Sequence, residues 1–214
     1  MGKNKIFNLR RASMVGPAKL WEMKRDLQIE FLKKQNLKSH HYLLDIGCGV
    51  LRGGIPIIDY LKPKHYYGIE VSPDRLEEGK LELKEHGLED KYPVLSTNNS
   101  IVDRTFDFVW SYQVFIHMSD SILDKTLNMI HSSLKPEGIC YATINLCDYP
   151  KEGKGWQEFP HVGRPLNFYE SIATDNKLNL QLIEDYQYGG IHNRWRWMNS
   201  MVKISKIMDQ EVGK

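Results

Sequence analysis

Cysteine is scarce. Cys48, Cys140 and Cys147 are the only three in 214 residues. An odd count with no CxxC pair excludes a disulfide framework and a cysteine-built metal site, and it suits a reducing, cytoplasmic setting. HExxH is absent, as is any dense carboxylate loop, so no metal site is expected. No apolar run approaches the roughly 18 residues that suggest a membrane span. Neither sign of charge is in excess: 29 Lys+Arg against 27 Asp+Glu leave +2. That excludes a polycation whose composition announces nucleic acid, and equally an acidic disordered chain. The opening MGKNKIFNLRRASMVGP is basic without an apolar stretch, so no secretory signal is expected, and Lys5-Ile6 misses the Ser/Thr of a myristoylation signal. Repeats and low-complexity tracts are lacking too. What remains is one domain of ordinary to large size, able to bury a sizeable core without staples.

Within that frame, strand-like and helix-like patterns alternate. A polar arm over residues 1–16 precedes a helix over 17–35, whose Leu20, Met23, Leu27 and Phe31 recur at helical spacing. Strands are expected over 42–46, 65–71, 92–95, 106–112 and 139–144, with helices over 54–61, 73–86 and 120–134 between them. Ser72 is placed to cap the second of these helices and Gly87 to stop it. Residues 145–164 read as irregular, and a helix over 166–176 and strands over 178–186 and 197–204 follow. The expected fold is α/β: helices on both faces of a mostly parallel sheet, with an antiparallel edge where the last two strands lie too close for a crossover.

The strongest local signal is Leu43-Leu44-Asp45-Ile46-Gly47-Cys48-Gly49-Val50-Leu51-Arg52-Gly53-Gly54. An apolar strand enters a Gly-rich turn that opens a helix, the place where open α/β sheets bind ligands. A dinucleotide fingerprint needs a third Gly where this chain has Arg52, and Asp45 would repel a pyrophosphate. A ligand bearing an ammonium and a sulfonium, S-adenosylmethionine (SAM), suits Asp45 better. Glu70 ends the second strand, where a carboxylate can accept ribose hydroxyls. Val71 and Ser72 follow where an adenine face would lie, and Asn98 or Asn99 offers an amide to its edge.

These stretches, with FDFVWSYQVFIHM and LKPEGICYATI, come in the order and at the spacing of the class I SAM-dependent methyltransferases, which the chain resembles over about residues 42–145. The resemblance implies a Rossmann-like three-layer sandwich with a seven-stranded sheet, order 3-2-1-4-5-7-6 and an antiparallel last strand. It implies one methyltransferase domain over 1–214: arm and helix 1–41, SAM-binding core 42–145, a lid over 146–164, and C-terminal helix and strands 165–214. It assigns Asp45, Gly47, Cys48 and Gly49 to the methionine and ribose parts of SAM, Glu70 to the ribose hydroxyls, Val71 to adenine and Ser111 to the methionine end. The acid that many members carry after the third strand is replaced here by Asn98 or Asn99.

The implied reaction is methyl transfer to oxygen or nitrogen of a small molecule or saccharide. A base near the acceptor is expected for a high-pKa group. His117 and His161 are the candidates; His117 can equally support the cofactor wall, and His161 lies in the segment read as a lid. Arg52 reaches either an acceptor anion or nearby backbone carbonyls. Tyr112, Trp156, His192 and Arg194 are further acceptor candidates, the last two within an Arg/Trp-rich stretch that can clamp a planar or anionic group or form a surface turn. Cys48 reads as a small packed residue. Asp/Asn-Pro-Pro-Tyr, the base-gripping motif of amino-methylating DNA enzymes, is absent after the fourth strand, so no nucleic-acid partner is expected. Two other readings stay open: a SAM-binding module without turnover, and an NAD-dependent oxidoreductase, against which Arg52 argues.

Overall fold

In the computed structural model, residues 9–98, 104–154, 160–183 and 200–207 are described. Chain order runs α1 (Leu9–Ser13), α2 (Trp21–Lys34), β1 (Leu43–Ile46), α3 (Gly54–Tyr60), β2 (Tyr66–Ile69), α4 (Pro73–Glu85), β3 (Val94–Ser96), β4 (Phe106–Ser111), α5 (Asp120–Ser133), β5 (Leu134–Ile144), β6 (Lys151–Lys154), β7 (Pro160–Gly163), α6 (Leu166–Asp175), β8 (Leu178–Leu182) and β9 (Ser200–Lys206). Seven strands form one sheet in the order β3-β2-β1-β4-β5-β9-β8. Counted within that sheet alone, this is the expected 3-2-1-4-5-7-6. The first five strands run parallel, and β9 lies antiparallel to both β5 and β8.

Both faces of the sheet are covered, as near-continuous burial of β1 (Leu43, Leu44, Asp45, Ile46) and β2 requires. One apolar cluster joins Leu44, Ile46 and Val109 to Leu123, Leu127 and Ile130 of α5. The other joins Leu43, Phe108 and Trp110 to Ile29 and Leu32 of α2 and Ile57 of α3. Ser72 caps α4 by accepting the Arg75 N–H, Pro73 occupies the first turn, and Gly87 ends the helix at φ +64°.

Three elements differ from expectation. The arm is not wholly irregular: Leu9–Ser13 is a short helix with a buried arginine, Arg11. Residues 145–164 are not wholly irregular either. β6 and β7 pair antiparallel, Lys151 opposite Gly163, a hairpin hidden by two strands that contain Gly and Pro and almost no β-branched residue. Finally, α2 buries Trp21, Lys24, Gln28 and Leu32, whereas Leu20, Met23, Leu27 and Phe31 are only partly buried. Polar residues occupy the inner face of α2 because that face lines a cleft as well as a core.

Candidate active site

The cleft lies at the carboxyl ends of β1, β2 and β4 and measures about 950 Å³. Its wall includes Asp45, Gly47, Cys48, Gly49, Arg52, Glu70, Val71, Tyr112, His117 and His161. Met14, Val15, Gly16 and Pro17 close it from the N-terminal segment, and Lys24 and Gln28 from α2.

The turn after β1 is shaped for close approach. Gly47 and Gly49 have φ of +74° and +58°, a region that β-carbons disfavour. A Cβ on Gly47 would meet Val114 Cγ2 at 2.3 Å, and one on Gly49 would meet Val15 Cγ1 at 3.1 Å. Backbone rather than side chain therefore faces the cleft there. Two carboxylates flank the turn. Asp45 is buried and accepts the Tyr66 hydroxyl at 2.6 Å. Burial, outweighing that hydrogen bond and reinforced by Glu70, raises its carboxyl to about 7. Glu70 accepts the Gly49 N–H at 3.0 Å through Oε2 and the Ser72 N–H at 2.9 Å through Oε1. The carboxylate at the end of β2 thus braces the glycine turn.

Val71 is 71% exposed, a large apolar side chain open to the cleft. Cys48 is buried, and burial together with Asp45 and Glu70 pushes its thiol well up, which fits packing and not nucleophilic attack. Ser111 is turned inward, donating to the Ile46 carbonyl at 3.4 Å, and Tyr112 reaches the wall in its place. Asn98 is exposed and bonded to Ser96, away from the wall. Trp156, His192 and Arg194 lie outside the described residues.

Beyond β4 the cleft meets two histidines whose rings are 5.9 Å apart. His117 Nδ1 lies 2.6 Å from the Pro160 carbonyl, so Nδ1 carries the proton and Nε2 is the basic atom. His161 Nε2 accepts from the Asn145 amide at 3.1 Å. Burial lowers both, so both rings are neutral near pH 7. Pro160 and His161 belong to β7, so the unexpected hairpin is what delivers the second histidine.

Sequence reasoning missed several residues of the wall. Behind the wall, Tyr66 of β2 donates its hydroxyl to Asp45. Lys24 and Gln28 lie off the Leu20, Met23, Leu27 and Phe31 stripe, and their i, i+4 spacing beside Trp21 is the signal that places them on one side of α2. Gln113 follows β4 at φ +60° and accepts from Lys24 Nζ at 2.8 Å. Arg75 donates to the Met14 carbonyl at 3.1 Å and Arg52 to the Val15 carbonyl at 2.9 Å. Arg52 therefore binds a carbonyl of the N-terminal segment while also lining the cleft. Among the described residues no cluster of three or more potential metal ligands occurs, and no helix is long and apolar enough to cross a membrane.

A Gly turn without side chains, an acid that favours a cation over a pyrophosphate, and a second acid at the end of β2 fit SAM. Sheet order and cleft together resemble those of the class I SAM-dependent methyltransferase fold. A family model described as a methyltransferase domain matches residues 44–140, and S-adenosylmethionine is the cofactor of this class. The chain is 28% identical over 141 residues to a sterol 4-C-methyltransferase of Caenorhabditis elegans, spanning 64% of this chain and 41% of that protein. It is 26% identical over 192 residues to a ubiquinone biosynthesis O-methyltransferase of Rickettsia conorii, spanning 81% of this chain and 63% of that protein. It thus spans 41 to 63% of the length of these curated relatives. The solved magnesium protoporphyrin IX methyltransferase of Synechocystis with bound SAM superposes with a TM-score of 0.64 at 12% identity, over 96% of this chain and 86% of that one.

Proposed function

We propose that this protein transfers the methyl group of SAM to an oxygen or nitrogen of a small molecule or saccharide in the cytoplasm, as a single domain in which residues 1–41 and 146–164 frame the acceptor. The observation that carries this reading is the continuity of the cleft, from the Asp45–Glu70 glycine turn past the end of β4 to His117 and His161. A binding module without turnover has no use for that extension.

When bound, SAM supplies a methyl group already activated by its sulfonium. The chain's own residues position and exclude water. Asp45 takes the ammonium, Glu70 accepts the ribose hydroxyls on its remaining lone pairs, and Val71 covers the adenine. His117 accepts the acceptor's proton at Nε2 as the new bond forms, and the Pro160 carbonyl holds the tautomer that leaves Nε2 basic. Met14–Pro17, held down by Arg52 and Arg75, keep solvent out.

Calorimetry with SAM and its demethylated product, S-adenosylhomocysteine, tests the binding half. A screen of hydroxyl- and amine-bearing metabolites and sugars for formation of that product tests turnover. Binding of both cofactor forms and turnover that His117→Ala cuts by at least about tenfold are expected. No binding of either form at about millimolar concentration overturns the proposal.

A further inference from the structure

We infer that His117 and His161 together select oxygen over nitrogen as the atom that receives the methyl group. The inference rests on the cleft being the SAM and acceptor site, and it narrows the acceptor group from a hydroxyl or an amine to a hydroxyl.

Both rings line the cleft, and their centres are 5.9 Å apart. Each ring has one nitrogen committed to the protein, and the two partners are of opposite kind. His117 Nδ1 donates to the Pro160 carbonyl at 2.6 Å, so its Nε2 is an acceptor. His161 Nε2 accepts from Asn145 Nδ2 at 3.1 Å, so its Nδ1 carries the N–H. The same Asn145 Nδ2 donates to the Val162 carbonyl at 3.3 Å. Turning the amide over would set its oxygen against that carbonyl, so the tautomer of His161 is fixed by the backbone of β7. Among the described residues none accepts the His161 Nδ1–H. Burial disfavours the charged form of both rings, which leaves the tautomers to decide what each offers. Arg164 fastens the pair. It follows β7, is 2% exposed, and donates through Nη2 to the Met118 carbonyl at 2.8 Å and through Nε to Asp120 Oδ1 at 2.8 Å. The strand that carries His161 is thereby tied to the residue after His117.

The pair offers one acceptor and one donor. A hydroxyl answers both: its proton faces His117 Nε2, one lone pair accepts from His161 Nδ1, and the other attacks the methyl carbon. An oxygen about 2.8 Å from one nitrogen of each ring lies about 4 Å from both ring centres. With centres 5.9 Å apart, its two hydrogen bonds meet at roughly 95°, near the tetrahedral angle. As the oxygen–carbon bond forms and the sulfur–carbon bond breaks, the hydroxyl proton passes to His117 Nε2 and leaves the sulfur as a neutral thioether; His161 keeps its proton. A neutral amine has a single lone pair, which must attack. One of its N–H groups suits His117, but the other is set against the His161 N–H, donor against donor.

The test uses the full chain with isotope-labelled histidines, saturated with S-adenosylhomocysteine, as wild type, His161→Leu and His161→Gln, the last keeping an amide donor. NMR near neutral pH reads the tautomers, and phenol and aniline, matched in size and both neutral there, are titrated in. Both rings are expected to carry the proton on Nδ1. Phenol should shift the His117 Nε2 and His161 Nδ1 signals and bind at least about tenfold more tightly than aniline. His161→Leu should abolish that preference and His161→Gln retain it, with a thermal melt separating lost folding from lost preference. If His161→Leu does not fold, the wild type and His161→Gln decide. In the turnover screen, an alcohol should be methylated at least about tenfold faster than the amine of the same skeleton. A His161 proton on Nε2, equal binding of phenol and aniline (none of either included), or an amine methylated faster than its matched alcohol overturns the inference. A wild type that binds no S-adenosylhomocysteine instead overturns the functional reading, and the tautomers and titrations on the unliganded protein then still decide the pair.

Discussion

Both oxygens of Glu70 accept backbone N–H groups, from Gly49 at 3.0 Å and from Ser72 at 2.9 Å. A carboxylate has about four acceptor positions, so two remain for a ligand diol. An amide cannot copy this. In Glu70→Gln one oxygen becomes an NH2 group that must face one of the two N–H donors, and a buried donor set against a donor costs about 1–3 kcal/mol. The isosteric variant is therefore expected to lower the melting temperature and to weaken S-adenosylhomocysteine at least about tenfold. Calorimetry beside a thermal melt reads both effects. An unchanged melt with weakened binding would confine Glu70 to the ligand and remove its role in bracing the glycine turn. That dual use was only half legible in the sequence. The position of Glu70 at a strand end pointed to a ribose, but its hold on Gly49 depends on the turn folding back across 21 residues.

At the level of elements, the N-terminal segment is held by a staple that sequence periodicity does not show. Arg11 of α1 is 1% exposed and bonds Glu78 at 3.2 Å, Glu82, and Glu85 at 2.7 Å, all on α4. The three acids follow one another along one side of α4, which is the trace the sequence does carry; the arginine stands 67 to 74 residues away in a stretch that reads as a polar arm. Glu85 pulls the guanidinium pKa up most strongly, against the cost of burial. Downstream of the staple, Met14–Pro17 cross the cleft and are pinned by Arg75 and Arg52. Removing one partner of a buried ion cluster leaves uncompensated charge, about 3–5 kcal/mol when burial is complete. Because Glu85 is half exposed, Arg11→Met is expected to cost nearer 2–3 kcal/mol in denaturant unfolding. It should also speed release of S-adenosylhomocysteine in stopped-flow measurements. Loss of stability with an unchanged release rate would show that the segment folds onto α4 without gating the cleft. The pairing of β6 with β7 escaped the sequence for a related reason: its register comes from Gly153 and Glu152 standing opposite His161 and Val162, not from alternation within Lys151–Lys154.

For the molecule as a whole, the alternation of elements and the glycine turn were legible because local patterns encode them: apolar runs for β1 and β4, an N-cap at Ser72, a positive-φ Gly87; the sheet order came from the family resemblance alone. On the cationic side of the cleft Arg52 was a candidate, but Lys24 was not, because it comes from α2 and meets Gln113 from beyond β4. Burial of both Asp45 and Lys24 in the cleft has a global consequence. Asp45 rises from 3.8 to about 7, so between those values the folded protein holds a proton that the unfolded chain has released. Its contribution to stability therefore falls as pH rises through that window. Lys24 drops from 10.5 to about 7, so above about pH 7 the folded amine is neutral while the unfolded one stays charged. The folded state then binds fewer protons, and this contribution recovers as pH rises toward that of a free lysine. Each swing is bounded by about 5 kcal/mol, because the windows are roughly three to three and a half pH units wide. The two groups together make the cofactor-free protein least stable near neutrality. Denaturant unfolding at about pH 5, 7 and 9 should show that minimum, with Asp45→Asn flattening the acid limb and Lys24→Met the alkaline limb. Saturation with S-adenosylhomocysteine should flatten the acid limb, since an ammonium stabilises the ionised acid. If the difference between wild type and Asp45→Asn stays constant across the acid limb, Asp45 does not hold a proton across that window in the cofactor-free protein.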